Sequence, residues 1–312
     1  MPGLSGEQGM SQRKLVALLT FPLLVITAFS CRSGRPAGND GEGLQVATSI
    51  LPQKYFVHRI AADRADVIVM VPSGASPATY EPSSEDLRML SEADLYLTVG
   101  VPFERVWLDR FESINPSMKV VSTIEGLNRR SIDRWAPGKA SHRGEDHHHA
   151  QGNPDPHVWL SPEMVKTQAE NIAEALTELD PQNASVYESQ LQAFVSDLET
   201  LQSEIDSILR PMRGSAFMVF HPSWGYFADE FGLRQLPIEI EGREPTPSEL
   251  AGILDHADSA GIRAILVAPQ FSTGTARTIA REIGAELVEA DPLAEGWREN
   301  LLRVAERIAD ST

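Results

Sequence analysis

Short runs of β-branched and other apolar residues recur along the chain at 45–50, 67–71, 95–99 and 119–122. They recur again at 216–220, 235–240, 264–268 and 286–290. Stretches with helical spacing or clusters of turn residues separate them. Strands that alternate with helices predict βαβ units and parallel sheets. The fold class is therefore α/β, with two similar lobes of about four parallel strands each. A long amphipathic stretch separates the halves, with Asp180 and Pro181 at its start and Pro211 at its end. Within it Tyr187, Leu191, Phe194, Leu198, Leu201, Ile205 and Ile208 alternate spacings of four and three. That stripe predicts one rigid helix packed along its own lobes and joining them. The expected organisation is an N-terminal lobe at 44–182, a linking helix at 183–210 and a C-terminal lobe at 211–312. Ser161-Pro162-Glu163 and the capping box Thr246-Pro247-Ser248-Glu249 mark two further helix starts.

The only strongly apolar run, 15–29, follows Arg13 and Lys14 and contains Pro22. It is short for a membrane span, so residues 1–30 read as an export signal. The sole cysteine, Cys31, comes directly after it. Ala28-Phe29-Ser30-Cys31 resembles a lipobox, which would lipidate Cys31 and leave 31–43 as a flexible tether; Ala28-x-Ser30 also suits plain signal cleavage. One thiol excludes an intrachain disulfide and any multi-cysteine metal site. Lys and Arg number 27 against 44 Asp and Glu, a net charge of −17, which argues against a nucleic-acid partner. No membrane contact is expected beyond the lipid anchor, and the chain reads as a monomer.

Residues 131–156 break the rhythm. They hold His142, His147, His148 and His149 among prolines and glycines, with almost no large apolar residue, and read as a mobile loop. His157 follows this loop, just before a helix cap. His221 comes at the carboxyl end of an expected strand and precedes Pro222, and Asp291 stands in the same way before Pro292. Open α/β sheets place ligands at such strand ends, although either residue would also serve as a local helix cap. Two neutral imidazoles and one carboxylate form a donor set suited to zinc or a neighbouring dication.

The chain resembles the metal-specific solute-binding proteins of ABC importers for zinc and manganese. The resemblance is carried by Val71-Pro72-Ser73-Gly74-Ala75-Ser76-Pro77, by Asp155-Pro156-His157, by His221-Pro222-Ser223-Trp224-Gly225-Tyr226-Phe227 and by Asp291-Pro292-Leu293. The long helix and the His-rich segment are similar to those of the zinc-selective branch. The resemblance implies two lobes joined by one rigid helix, a metal held in the cleft between them by His157, His221 and Asp291, and no enzymatic activity. It also implies an extracytoplasmic receptor that delivers zinc, or manganese, to a membrane permease driven by a cytoplasmic ATPase. In the family's first motif, Pro-His-x-Tyr-Glu-Pro, the histidine is a metal ligand. Here the motif reads Pro77-Ala78-Thr79-Tyr80-Glu81-Pro82. Three replacements stand open: a water, a histidine from 147–149, or Glu81.

The rival class is a hydrolase. Ser223 at a strand–turn–helix is reminiscent of a nucleophile elbow, but His221 stands where that motif needs glycine. A zinc-dependent hydrolase using an open His157/His221/Asp291 site is chemically better. His58 and His256 read as helix-surface residues, and Trp107, Trp135 and Trp297 as packing. Trp159, Trp224 and Tyr226 flank the candidate ligands.

Overall fold

The computed structural model describes residues 43–132, 154–240 and 242–310. The export signal, the tether with Cys31, Trp135 and the histidines His142, His147, His148 and His149 lie outside the described residues. The first half runs β1 (Leu44–Thr48), α1 (Leu51–Ala61), β2 (Ala65–Val69), α2 (Ser84–Leu90), β3 (Leu95–Thr98), α3 (Pro102–Ile114) and β4 (Lys119–Ser122). Two helices follow, α4 (Pro162–Leu179) and α5 (Ala184–Leu209). The second half is β5 (Ala216–Val219), α6 (Gly225–Phe231), β6 (Arg234–Pro237), α7 (Pro247–Ser259), β7 (Ala264–Val267), α8 (Gly274–Ile283), β8 (Glu286–Glu289) and α9 (Trp297–Asp310).

Each half builds one four-stranded parallel sheet, in the orders β2-β1-β3-β4 and β6-β5-β7-β8. The two orders are the same when strands are counted within each half. Val46 pairs with Val67 on one side and Leu95 on the other, and Met218 pairs likewise with Leu236 and Ile265. The α/β class, the two lobes and the joining helix are thus as the apolar pattern predicts. Most strands end a residue or two earlier than their apolar runs. In the sixth run the strand stops at Pro237, which has no N–H to donate, yet Ile238 and Glu239 still donate to Val219 and Phe220 at 2.8 and 3.0 Å. That leaves Glu239 at the carboxyl end of the sheet.

The long helix also starts later than its proline suggests. Asp180 ends α4, with its N–H on Leu176 O at 2.9 Å, and its side chain accepts from Asn183 Nδ2 and Tyr187 Oη, both at 2.6 Å. Residues 181–183 form a tight turn before α5 begins. The buried stripe of α5 is Tyr187, Phe194, Leu198, Leu201, Ile205 and Leu209. It packs against α4, α9 and α1 of the same chain, within a core that runs through both lobes. Two buried tryptophans tie this core to the cleft. Trp297 Nε1 donates to Trp159 O, and Trp159 Nε1 to Pro292 O, each at 2.7 Å. A buried indole keeps its apolar ring in the core only when its N–H finds such a partner. Among the described residues no helix is long and apolar enough to cross a membrane.

Candidate metal centre

A parallel sheet leaves its loops of one polarity at a single edge, where neighbouring strands diverge at the switch point. In the second lobe, His221 follows β5 and Glu239 follows β6, each two residues beyond the strand; Gln270 follows β7 by three and Asp291 follows β8 by two. The first lobe contributes the segments after β2, which carry Ala78, and after β3, which carry Gly100 to Pro102. His157 enters from the turn before α4, where Ser161 Oγ accepts from Met164 N at 3.2 Å and starts the helix. A cleft of about 570 Å³ lies among these segments, lined by Ala78, Thr79, Arg105, His157, His221, Glu239, Gln270 and Phe271 among others.

Each histidine is held by a buried acid. His157 Nδ1 meets Asp155 Oδ1 at 2.7 Å, and the same oxygen accepts the His157 backbone N–H at 3.0 Å. Asp155 is fully buried and its own N–H donates to Arg130 O. His221 Nδ1 meets Glu239 Oε2 at 2.6 Å, and the ring stacks on Phe271 with centres 4.9 Å apart. A carboxylate can only accept, so each Nδ1 carries the proton and each Nε2 keeps its lone pair. This is the carboxylate–histidine arrangement that orients metal ligands. Burial holds the His157 imidazole below the ordinary histidine range, with Asp155 pulling the other way. Its neutral form, the one able to offer a lone pair, is therefore favoured at neutral pH.

The two ring centres lie 5.3 Å apart at an interplanar angle of 73°. Two imidazoles sharing one tetrahedral zinc at ~2.0–2.1 Å have their ring centres about 5.2 Å apart. The observed spacing fits that arrangement.

Other sequence candidates fall differently. Asp291 is half-buried; its Oδ1 accepts from Gln270 Nε2 at 2.8 Å and from Leu293 N at 2.9 Å, and Gln270 rather than Asp291 lines the cleft. Among the described residues, no three His, Cys, Asp or Glu side chains stand together so as to hold a metal ion: the structure brings His157 and His221 together and leaves Asp291 outside the cleft lining. Glu81 is exposed and outside the cleft lining, whereas Ala78 faces the cleft. Glu239 and Gln270 were not singled out by sequence reasoning. The signal for Glu239 was its place at a strand's carboxyl end, hidden within an apolar run. Trp159 is buried with its ring centre 5.2 Å from that of His157, Trp224 is buried against Phe227, and the Tyr226 hydroxyl joins Arg130 N to Asp155 O, each at 3.0 Å. The Ser131–Pro154 bridge adds to this clasp just before His157. His58 and His256 lie on exposed helix faces, while Trp107 packs on Phe111. Ser223 is buried, with its Oγ on His221 O at 3.3 Å, so it offers no accessible nucleophile.

The family described as zinc-uptake complex component A, periplasmic, matches residues 46–310. The chain belongs to this family. The zinc-uptake component is thus an exported metal-binding receptor with zinc as its transported ion, paired with an ABC permease and ATPase; it is not a hydrolase. It is 28% identical to the high-affinity zinc uptake system protein ZnuA of Bacillus subtilis, over 85% of this chain and 83% of that protein. It is 26% identical to the zinc-binding lipoprotein AdcA of Streptococcus pneumoniae, covering 90% of this chain but spanning only 55% of AdcA. A crystal structure of ZnuA superposes with a TM-score of 0.79 at 40% identity, over 86% of this chain and 99% of that one.

Proposed function

We propose that this zinc-uptake component captures the ion through His157 Nε2, His221 Nε2 and the Asp291 carboxyl group, and yields it to the permease. The observation that carries this reading is the facing pair of acid-held imidazoles with ring centres 5.3 Å apart. Each donor has one atom left over after its partner is served. The imidazoles have Nε2, and Asp291 has Oδ2 once Oδ1 has accepted from Gln270 and Leu293. Two nitrogen donors favour zinc over the harder manganese. Ala78 gives the ion no donor, so three protein ligands leave one coordination position for water. The histidines at 147–149 serve as a loose collecting set rather than as ligands in the cleft. We also propose that Cys31 carries a lipid anchor that tethers a monomeric receptor to the membrane, a reading supported by the lipobox-like sequence.

Zinc titration of the exported chain tests the site. His221→Ala is expected to abolish tight binding, while deletion of residues 141–151 spares most of it. Parent-like binding by both variants would refute the assignment.

A further inference from the structure

The side chain of Gln270 has two ends with different fates. Its Nε2 donates to Asp291 Oδ1 at 2.8 Å, and because a carboxylate only accepts, this fixes which way the amide is turned. Its Oε1 is buried and has no hydrogen-bond partner among the described residues. Buried acceptors without a donor are rare enough to call for an explanation. The proposed ligands cannot supply one. His157 and His221 present lone pairs once their Nδ1 protons are on Asp155 and Glu239, and Asp291 is itself an acceptor. The next residue, Phe271, stacks on His221, so one dipeptide after β7 touches both ligands of the second lobe.

A donor fits this oxygen if it arrives with the ion. We propose that Gln270 Oε1 accepts a hydrogen bond from a water bound to the zinc, and that this water occupies the coordination position for which Ala78 provides no donor. Gln270 is then a positioning residue with two tasks: it orients Asp291 through Nε2 and holds the metal-bound water through Oε1. A water polarised by the ion is a strong donor, and an amide oxygen accepts from it without taking its proton. The inference rests on the reading of this cleft as the zinc site.

The test is a double-mutant cycle of Gln270→Met and Ala78→His, read by zinc titration. In the parent, Gln270→Met is expected to weaken zinc binding ~10–100-fold, the range for losing an outer-shell partner. In Ala78→His, where an imidazole replaces the water, the same change is expected to cost less than about threefold, because only the hold on Asp291 is lost. Equal losses in both backgrounds would mean that Gln270 acts through Asp291 alone, and no loss in either would mean that it does neither; both overturn the proposal. Azide added to the cobalt-loaded proteins gives a second readout. It should shift the visible bands of the parent by displacing water and leave those of Ala78→His unchanged; no shift in the parent would also overturn the proposal. Failure of the underlying site is distinguishable, since His221→Ala would then bind zinc like the parent.

Discussion

Glu239→Ala isolates the contribution of an acid that touches a proposed ligand without being one. Glu239 is buried, with 9% of its side chain exposed, and its Oε2 lies 2.6 Å from His221 Nδ1. Removing it frees the His221 ring to turn and lowers the basicity of Nε2. Outer-shell losses of this kind weaken metal binding ~10–100-fold, or about 1.4–2.8 kcal/mol at 1.4 kcal/mol per decade. A hydrogen bond to a charged group is worth ~1.5–3 kcal/mol, which agrees from a separate direction. The cost to the apo fold should be much smaller. His221 is 24% exposed on its side chain, so water can take over at Nδ1. The apo melting temperature should stay within about 4 °C of the parent, the shift that ~1 kcal/mol gives in a domain near this size. Glu239→Gln keeps an accepting oxygen without the charge and should lie between parent and Ala, about fivefold weaker than the parent. The assay is competitive zinc titration against a chromophoric chelator, with calorimetry of the apo protein alongside. Parent-like zinc affinity in Glu239→Ala would refute the orienting role, and so would a fall in stability as large as the fall in affinity.

Two further outcomes follow from the packing around the cleft. His157 has a folded pKa below its unfolded value near 6.5, so the unfolded chain takes up this proton first. Apo stability from this group is fully present above about pH 6.5 and is lost as pH falls through the window down to the folded value; denaturant midpoints between pH 7.5 and 5 should fall less in His157→Gln than in the parent, and an equal fall would contradict this. At Gly225 a Cβ would stand 2.6 Å from Arg130 Nη1 and 3.3 Å from Asp155 Oδ2. Because Arg130 also pairs with Asp229 at 2.9 Å, Gly225→Ala should cost ~1–3 kcal/mol of stability in urea unfolding, and no cost would show that the clasp yields freely.

Much of this architecture was legible because parallel strands buried on both faces leave compact apolar runs in the sequence. All eight runs became strands, with ends moved by backbone effects such as the missing N–H of Pro237. The place of His221 at a sheet's carboxyl end was legible too, because it directly follows an expected strand. The partners of the two histidines were not. Asp155 sits two residues from His157, but only the turned backbone brings its oxygen onto both the ring and the N–H. Glu239 is 18 residues from His221 and was absorbed into an apolar run, since nothing in a period-two pattern says where a strand stops. Gln270 carries no periodic or motif signal; its importance lies in a distance to Asp291 and in a buried oxygen. The late start of α5 has the same origin: Asp180 and Pro181 look like a cap and a first turn, but the Asp180 side chain goes to Asn183 and Tyr187 instead.

X-ray absorption at the zinc edge of the loaded, untagged protein reads the ligand set itself. Two imidazole nitrogens at ~2.0–2.1 Å with oxygen donors completing four-coordination are expected, and one imidazole fewer in His157→Ala. A shell of three or four imidazoles, or a spectrum unchanged by His157→Ala, would place the ion elsewhere and contradict this ligand set.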